Sequence, residues 1–152
     1  MSIAKRLQEI KSELPASTRL LAVSKFHPAE LIQEAYDAGQ RYFGESHVQE
    51  LKEKVEVLPK DIEWHFIGHL QTNKVKYIAP YISMIHSVDT EKLLQVINAQ
   101  AEKCGRVIPC LLEIHVAKEE TKYGFDFDTA RELLQSDRLQ SLKFVSVVGI
   151  MG

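Results

Sequence analysis

Apolar residues along the chain alternate between two rhythms. Ile3, Leu7, Ile10 and Leu14 fall at helical spacing, and Pro15 closes an amphipathic helix over 2–14. Residues 20–24 form a short apolar run with the length of a buried strand. His27-Pro28 then opens a helix with apolar positions Leu31, Ile32, Ala35 and Tyr36, and Gly39 suits its C-terminal end. The same unit recurs. A strand over 40–43 precedes a helix marked by Val48, Leu51, Val55 and Leu58. A strand over 62–67 precedes a short helix over 73–79, and a strand over 82–86 precedes a helix opened by Asp89-Thr90 and ended at Gly105. A strand over 107–114 precedes a helix capped by Asp128, and a sixth strand covers 144–150.

Strands alternating with helical patterns predict an α/β fold with a parallel sheet. Six such strands fit an open doubly wound sheet or a (β/α)₈ TIM-type barrel, which takes about 250 residues when complete. The chain stops after an apolar strand with no covering helix, and this points to the first six β/α units of a barrel cut short at its C-terminus. No linker or low-complexity stretch divides the chain, so a single domain over 1–152 is expected.

The bulk numbers narrow the function classes. Net charge is −2, with 45% apolar and 26% charged residues, so no basic field draws nucleic acid or an anionic membrane. No segment approaches a transmembrane span, and residues 1–14 lack the apolar region of a signal peptide. Cys104 and Cys110 form neither a disulfide framework nor a metal motif. A cytoplasmic setting is expected.

In parallel β/α folds the loops after the strands build the site. These loops offer Ser24, Lys25 and His27; then Gly44, Glu45, Ser46 and His47; then His65, Gly68 and His69; then His86, Ser87 and Asp89; then Glu113, His115 and Lys122; and finally Met151 and Gly152. All six histidines lie at or near this face. Lys25 directly follows an apolar strand. In an apolar mouth its charged form would be desolvated, and the neutral amine could attack an aldehyde to form a Schiff base. The ordinary alternative is a lysine that simply reaches solvent. His65 and His69, four apart, would face one way on a helix as metal ligands do, but here they straddle a strand end and Gly68. Segment 68–74, GHLQTNK, reads as a turn and helix start with a weak anion-binding signal. Segment 118–124, KEETKYG, reads as a charged, solvated loop.

Together these residues resemble one family. AVSKFHPAELIQEAYDAGQRYFGESHVQEL at 22–51 resembles the opening signature of the pyridoxal-phosphate homeostasis proteins, the YggS/PROSC-like family. WHFIGHLQTNK at 64–74, HSVD at 86–89, LLEIHVAKEETKYGF at 111–125 and VVGIM at 147–151 match later blocks in order. The resemblance implies a barrel like the N-terminal domain of alanine racemase. It implies pyridoxal 5′-phosphate (PLP) held as a Schiff base on Lys25, and a role in PLP homeostasis without robust catalysis. The ends of neighbouring strands then make Ser46, His65, Ser87 and Met151 the expected lining of the cofactor cavity, with no metal.

Two positions depart from the family. Ser46 and His115 stand where the family usually has Asn, which alters fine contacts. The family's later Ser/Met/Gly-rich and Arg-Ile-Gly blocks, which hold the phosphate, do not occur in these residues. A chain of six units would leave sheet edges unpaired, so self-association through those edges is expected. Two other readings stay open at this level: a PLP-dependent racemase-type enzyme, which needs a second acid–base group, and a metal-dependent barrel hydrolase suggested by the histidines.

Overall fold

The computed structural model describes residues 2–116 and 123–152. The chain divides into two compact units, 1–65 and 66–152.

In the first unit, Ser2 caps α1 (Ile3–Glu13) by accepting from the Lys5 amide. The helix ends at Leu14, because the residue before a proline is pushed out of the helical region. Strand β1 (Ala22–Val23) runs parallel to β2 (Tyr42–Glu45), with Ala22 opposite Phe43 and Val23 opposite Gly44. Helix α2 (Ala29–Asp37) buries Ile32 and Ala35 and ends at Gly39, whose φ of 105° suits a residue without a Cβ. Buried Gln40 donates to the carbonyls of Leu20 and Tyr42 at 2.9 and 2.8 Å, which ties β1's approach to β2. Helix α3 (Val48–Val57) follows β2, and β3 (Glu63–Phe66) follows α3. The core between them holds Phe43 and Trp64, with ring centroids 5.9 Å apart, and Leu51, which is fully buried.

In the second unit, a 3₁₀ turn at Thr72–Lys74 runs into the short α4 (Val75–Ile78), followed by β4 (Met84–Val88). Thr90 caps α5 (Glu91–Lys103), its hydroxyl accepting from the Leu93 amide at 3.0 Å. The buried face of α5 is Leu93, Leu94, Ile97 and Ala101. Strand β5 (Ile108–Glu113) alternates as a strand with two unlike faces must: Ile108, Cys110 and Leu112 are fully buried. It pairs in parallel with β4, and with β6 (Val145–Met151) from Ile108 opposite Val145 to Glu113 opposite Met151. Between β5 and β6 lie α6 (Phe127–Leu134) and α7 (Asp137–Gln140).

Several boundaries differ from the sequence reading. Strand β1 has two residues where the apolar run suggested five, since hydrophobicity marks burial and only paired backbone makes a strand. The second strand lies two residues later than expected and takes in Gly44 and Glu45. Likewise Ser87 lies inside β4 and Met151 inside β6, rather than after them. Asp126, not Asp128, caps α6, accepting from the Thr129 amide at 2.7 Å; Asp128 sits in the first turn. Pro28 occupies the cap position of α2, one residue ahead of the first turn. Helix α7 has too few apolar positions to show a period.

Candidate functional site

The turn after β1 carries Lys25. Ser24 to His27 form a four-residue reverse turn closed by the His27 amide donating to the Ser24 carbonyl at 3.1 Å. Lys25 takes its second position and is exposed. Phe26 takes the third with φ of 65°, a region that favours glycine and is uncommon for a bulky side chain. The desolvating apolar mouth expected around Lys25 is therefore not its surroundings here.

Beneath the turn lies a network of charges that the strand-end reading missed. Ser24 is buried, its amide donates to the Gly44 carbonyl, and its hydroxyl donates to Glu45. Lys54 of α3, only 6% exposed, gives its three ammonium protons three acceptors. These are the Ser24 carbonyl at 2.9 Å, Glu45 Oε2 at 2.8 Å and Glu50 Oε2 at 2.7 Å. Glu50 Oε2 also accepts from the Phe26 amide at 2.6 Å. Burial alone would raise the Glu50 carboxyl. The bonds from Lys54 and Phe26 outweigh burial and hold it below the ordinary carboxylate range. A sequence signal for this network does exist: Lys54 stands at helical spacing with Leu51 and Leu58, where an apolar residue would be expected.

The other expected lining residues are placed as follows. Ser46 is half-buried just after β2; it lies two residues past Gly44, as Lys25 lies two past Val23, the strand partner of Gly44. His65 is buried in β3, with the Tyr42 ring edge-on to it at 6.2 Å. Ser87 is buried in β4, and its hydroxyl has no hydrogen-bond partner among the described residues. Met151 is half-buried at the end of β6, where its carbonyl accepts from the Ile114 amide at 2.7 Å. Lys25, Ser46 and His65 thus belong to the first unit, and Ser87 and Met151 to the second.

The second unit has its own polar cluster. His69 Nδ1 lies 3.2 Å from Asp89 Oδ2, and the His69 ring stacks on Tyr123 with centroids 3.9 Å apart. Glu113 at the end of β5 has its carboxyl raised, first by burial and then by the nearby Asp89 charge, with His69 opposing. Burial lowers His86 of β4. Among the described residues no three His, Cys, Asp or Glu side chains gather as a metal site would require. Lys118 and Lys122 of the KEETKYG segment lie outside the described residues. Among the described residues no helix is long and apolar enough to cross a membrane.

Comparison with known proteins places this geometry. The profile of the alanine racemase N-terminal domain matches residues 1–152. The pyridoxal phosphate homeostasis protein of Schizosaccharomyces pombe is 38% identical over 152 residues, which cover 95% of this chain. The chain spans 63% of that relative's length. PipY of Synechococcus elongatus superposes with a TM-score of 0.91 at 40% identity, over 99% of this chain and 70% of its own. A second PipY structure, with PLP bound, gives 0.89 at 39% identity over 99% and 69%. Alanine racemase of Bartonella henselae, at 15% identity, superposes with a TM-score of 0.73 over 97% of this chain and 42% of its own, a likeness of fold. Six parallel strands alternating with helices are those of the TIM-type barrel class that the sequence resemblance implied. The chain belongs to the alanine racemase N-terminal domain family, among the relatives named pyridoxal phosphate homeostasis proteins.

Proposed function

We propose that this chain binds PLP covalently at Lys25 and serves in PLP homeostasis as a carrier, without robust catalysis of its own. The observation that carries this reading is the turn after β1. A primary amine stands exposed there, while the peptide groups on both sides of it are fixed by Lys54 and Glu50. The donor chemistry fits the group: when bound, PLP supplies an aldehyde that condenses with a primary amine as water leaves. Support also comes from PipY, 39% identical and solved with PLP bound.

The chain's own residues would do the following. Lys25 provides the attachment, and Ser24, Glu45, Glu50 and Lys54 hold its backbone. Ser46 and His65 in the first unit, and Ser87 and Met151 in the second, are the further residues assigned to the cofactor in this reading, and the buried Ser87 hydroxyl, which has no partner among the described residues, is available to a polar atom of a ligand. In the same reading residues 1–152 belong to one cytoplasmic domain that self-associates.

The test is to incubate the chain with PLP, reduce it with borohydride and locate the modified peptide by mass spectrometry. A single adduct at Lys25, abolished in Lys25→Ala, is expected. A full-yield adduct at Lys74 or Lys122 instead would overturn the assignment.

A further inference from the structure

We propose that Lys54 and Glu50 of α3 are positioning residues for Lys25, gripping the turn that displays it from both sides. The proposal rests on the reading of Lys25 as the attachment point and adds the device that presents it.

The turn would not hold this shape unaided. Phe26 sits at φ of 65°, and a non-glycine residue in that region persists only where its surroundings over-determine it. Its ring is not the anchor: Phe26 is 73% exposed, and its ring partner His47, 5.1 Å away, is itself exposed. The anchors are on the backbone. On the N-terminal side of Lys25, the Ser24 carbonyl accepts from Lys54; on the C-terminal side, the Phe26 amide donates to Glu50. Lys54 bonds Glu50 as well, so one ammonium and one carboxylate close a ring around the Lys25 backbone.

The second carboxylate explains why a lysine can be buried here. Glu45 is fully buried in β2 and bonds both Lys54 and the Ser24 hydroxyl. It therefore fixes the ammonium against the strand from which the turn departs. A buried charge cluster is weak evidence for stability, because desolvation offsets most of its attraction. What this cluster does supply is direction: the backbone groups that Lys54 and Glu50 bond belong to Ser24 and Phe26, the two residues adjacent to Lys25. An amine held in place reacts faster than one on a turn that samples several shapes.

The experiment follows the rate at which PLP becomes borohydride-fixable at Lys25, read by peptide mass spectrometry, alongside thermal melts of each variant. Glu50→Ala removes the acceptor for Phe26, and Lys54→Met removes the donor to Ser24. Each is expected to slow adduct formation at Lys25 about tenfold at temperatures where the variant is fully folded, with background labelling of other lysines unchanged. Glu50→Gln keeps an acceptor oxygen and is expected to recover most of the rate, which a role in stability alone would not require. If Lys54→Met does not fold, Glu50→Ala and Glu50→Gln carry the test, since Glu50 lies at the partly exposed edge of the cluster. Folded Glu50→Ala reacting within twofold of the wild-type rate would overturn the proposal. Absence of any Lys25 adduct in the wild-type chain would instead overturn the reading of Lys25 beneath it.

Discussion

His69 and Asp89 form an ion-pair contact of 3.2 Å in which the carboxylate is buried and the imidazole is half in solvent. With Nδ1 turned to Asp89, the pair fixes which ring nitrogen faces outward, and Tyr123 lies flat against the ring. Removing His69 would leave a buried carboxylate beside Glu113 without its partner. His69→Ala is expected to cost about 1–2 kcal/mol in urea unfolding. Tyr123→Ala, at an exposed stack, should cost about 0.5 kcal/mol. A double-mutant cycle that gave no coupling between His69 and Asp89 would contradict the pairing.

The pH dependence of stability follows from two shifts of opposite kind. Glu113 is raised by burial and the Asp89 charge. Its folded form keeps a proton to higher pH than the unfolded chain does. Its contribution is therefore complete below the unfolded carboxylate range and is lost as pH rises through the raised value. His86 is lowered by burial. Its contribution is complete above the unfolded imidazole value of about 6.5 and is lost as pH falls below it. Glu113→Gln should stabilise the chain at pH 7 by a few tenths of a kcal/mol, since solvent screens much of the effect. His86→Gln should flatten the acid limb of the profile. Chemical denaturation from pH 4 to 8 checks both, and a Glu113→Gln chain less stable at pH 7 would count against the first.

The two thiols should differ sharply in reactivity. Cys104 is exposed at the end of α5, whereas Cys110 is buried in β5, where burial pushes its thiol up to about 12. The thiolate is the reactive form. One equivalent of an aromatic disulfide reagent should therefore react quickly in the folded chain, at Cys104, and the second only on unfolding. Two fast equivalents would mean that β5 opens readily.

Gly124 occupies φ of 130°, and a Cβ there would meet the His115 amide nitrogen at 2.8 Å and the Ile114 carbonyl carbon at 3.1 Å. Both obstacles are backbone and cannot swing away. Gly124→Ala should cost about 3 kcal/mol, from the strained φ and the clash together, and should disturb the Phe125 bonds to His115 and Glu113. Gly105→Ala, with φ of 65° and open space around it, should cost about 1 kcal/mol. Equal costs in thermal melts would remove backbone approach as the reason for glycine at 124.

The alternation of strand and helix, and with it the barrel class, was legible in the sequence because burial repeats with the period of each element. Ile108, Cys110 and Leu112 alternate in β5, and Leu93, Leu94, Ile97 and Ala101 line one face of α5. Lys25 stood out as a candidate because a lysine directly after an apolar run contradicts that pattern, and because it sits in a family signature. Element ends were less so. Strands are bounded by hydrogen-bonded pairing, which apolar runs do not encode; hence the two residues of β1 and the late edges of β2, β4 and β6. What only the tertiary structure decided is the company each polar group keeps. Glu45 stood in the sequence only among the residues after the second strand, and nothing there joined it to Glu50 or Lys54, yet Lys54 bonds the Ser24 carbonyl from 30 residues away. Asp89 and His69 likewise meet across 20 residues. Such contacts join residues whose chain separation carries no period, so the folded backbone alone selects them.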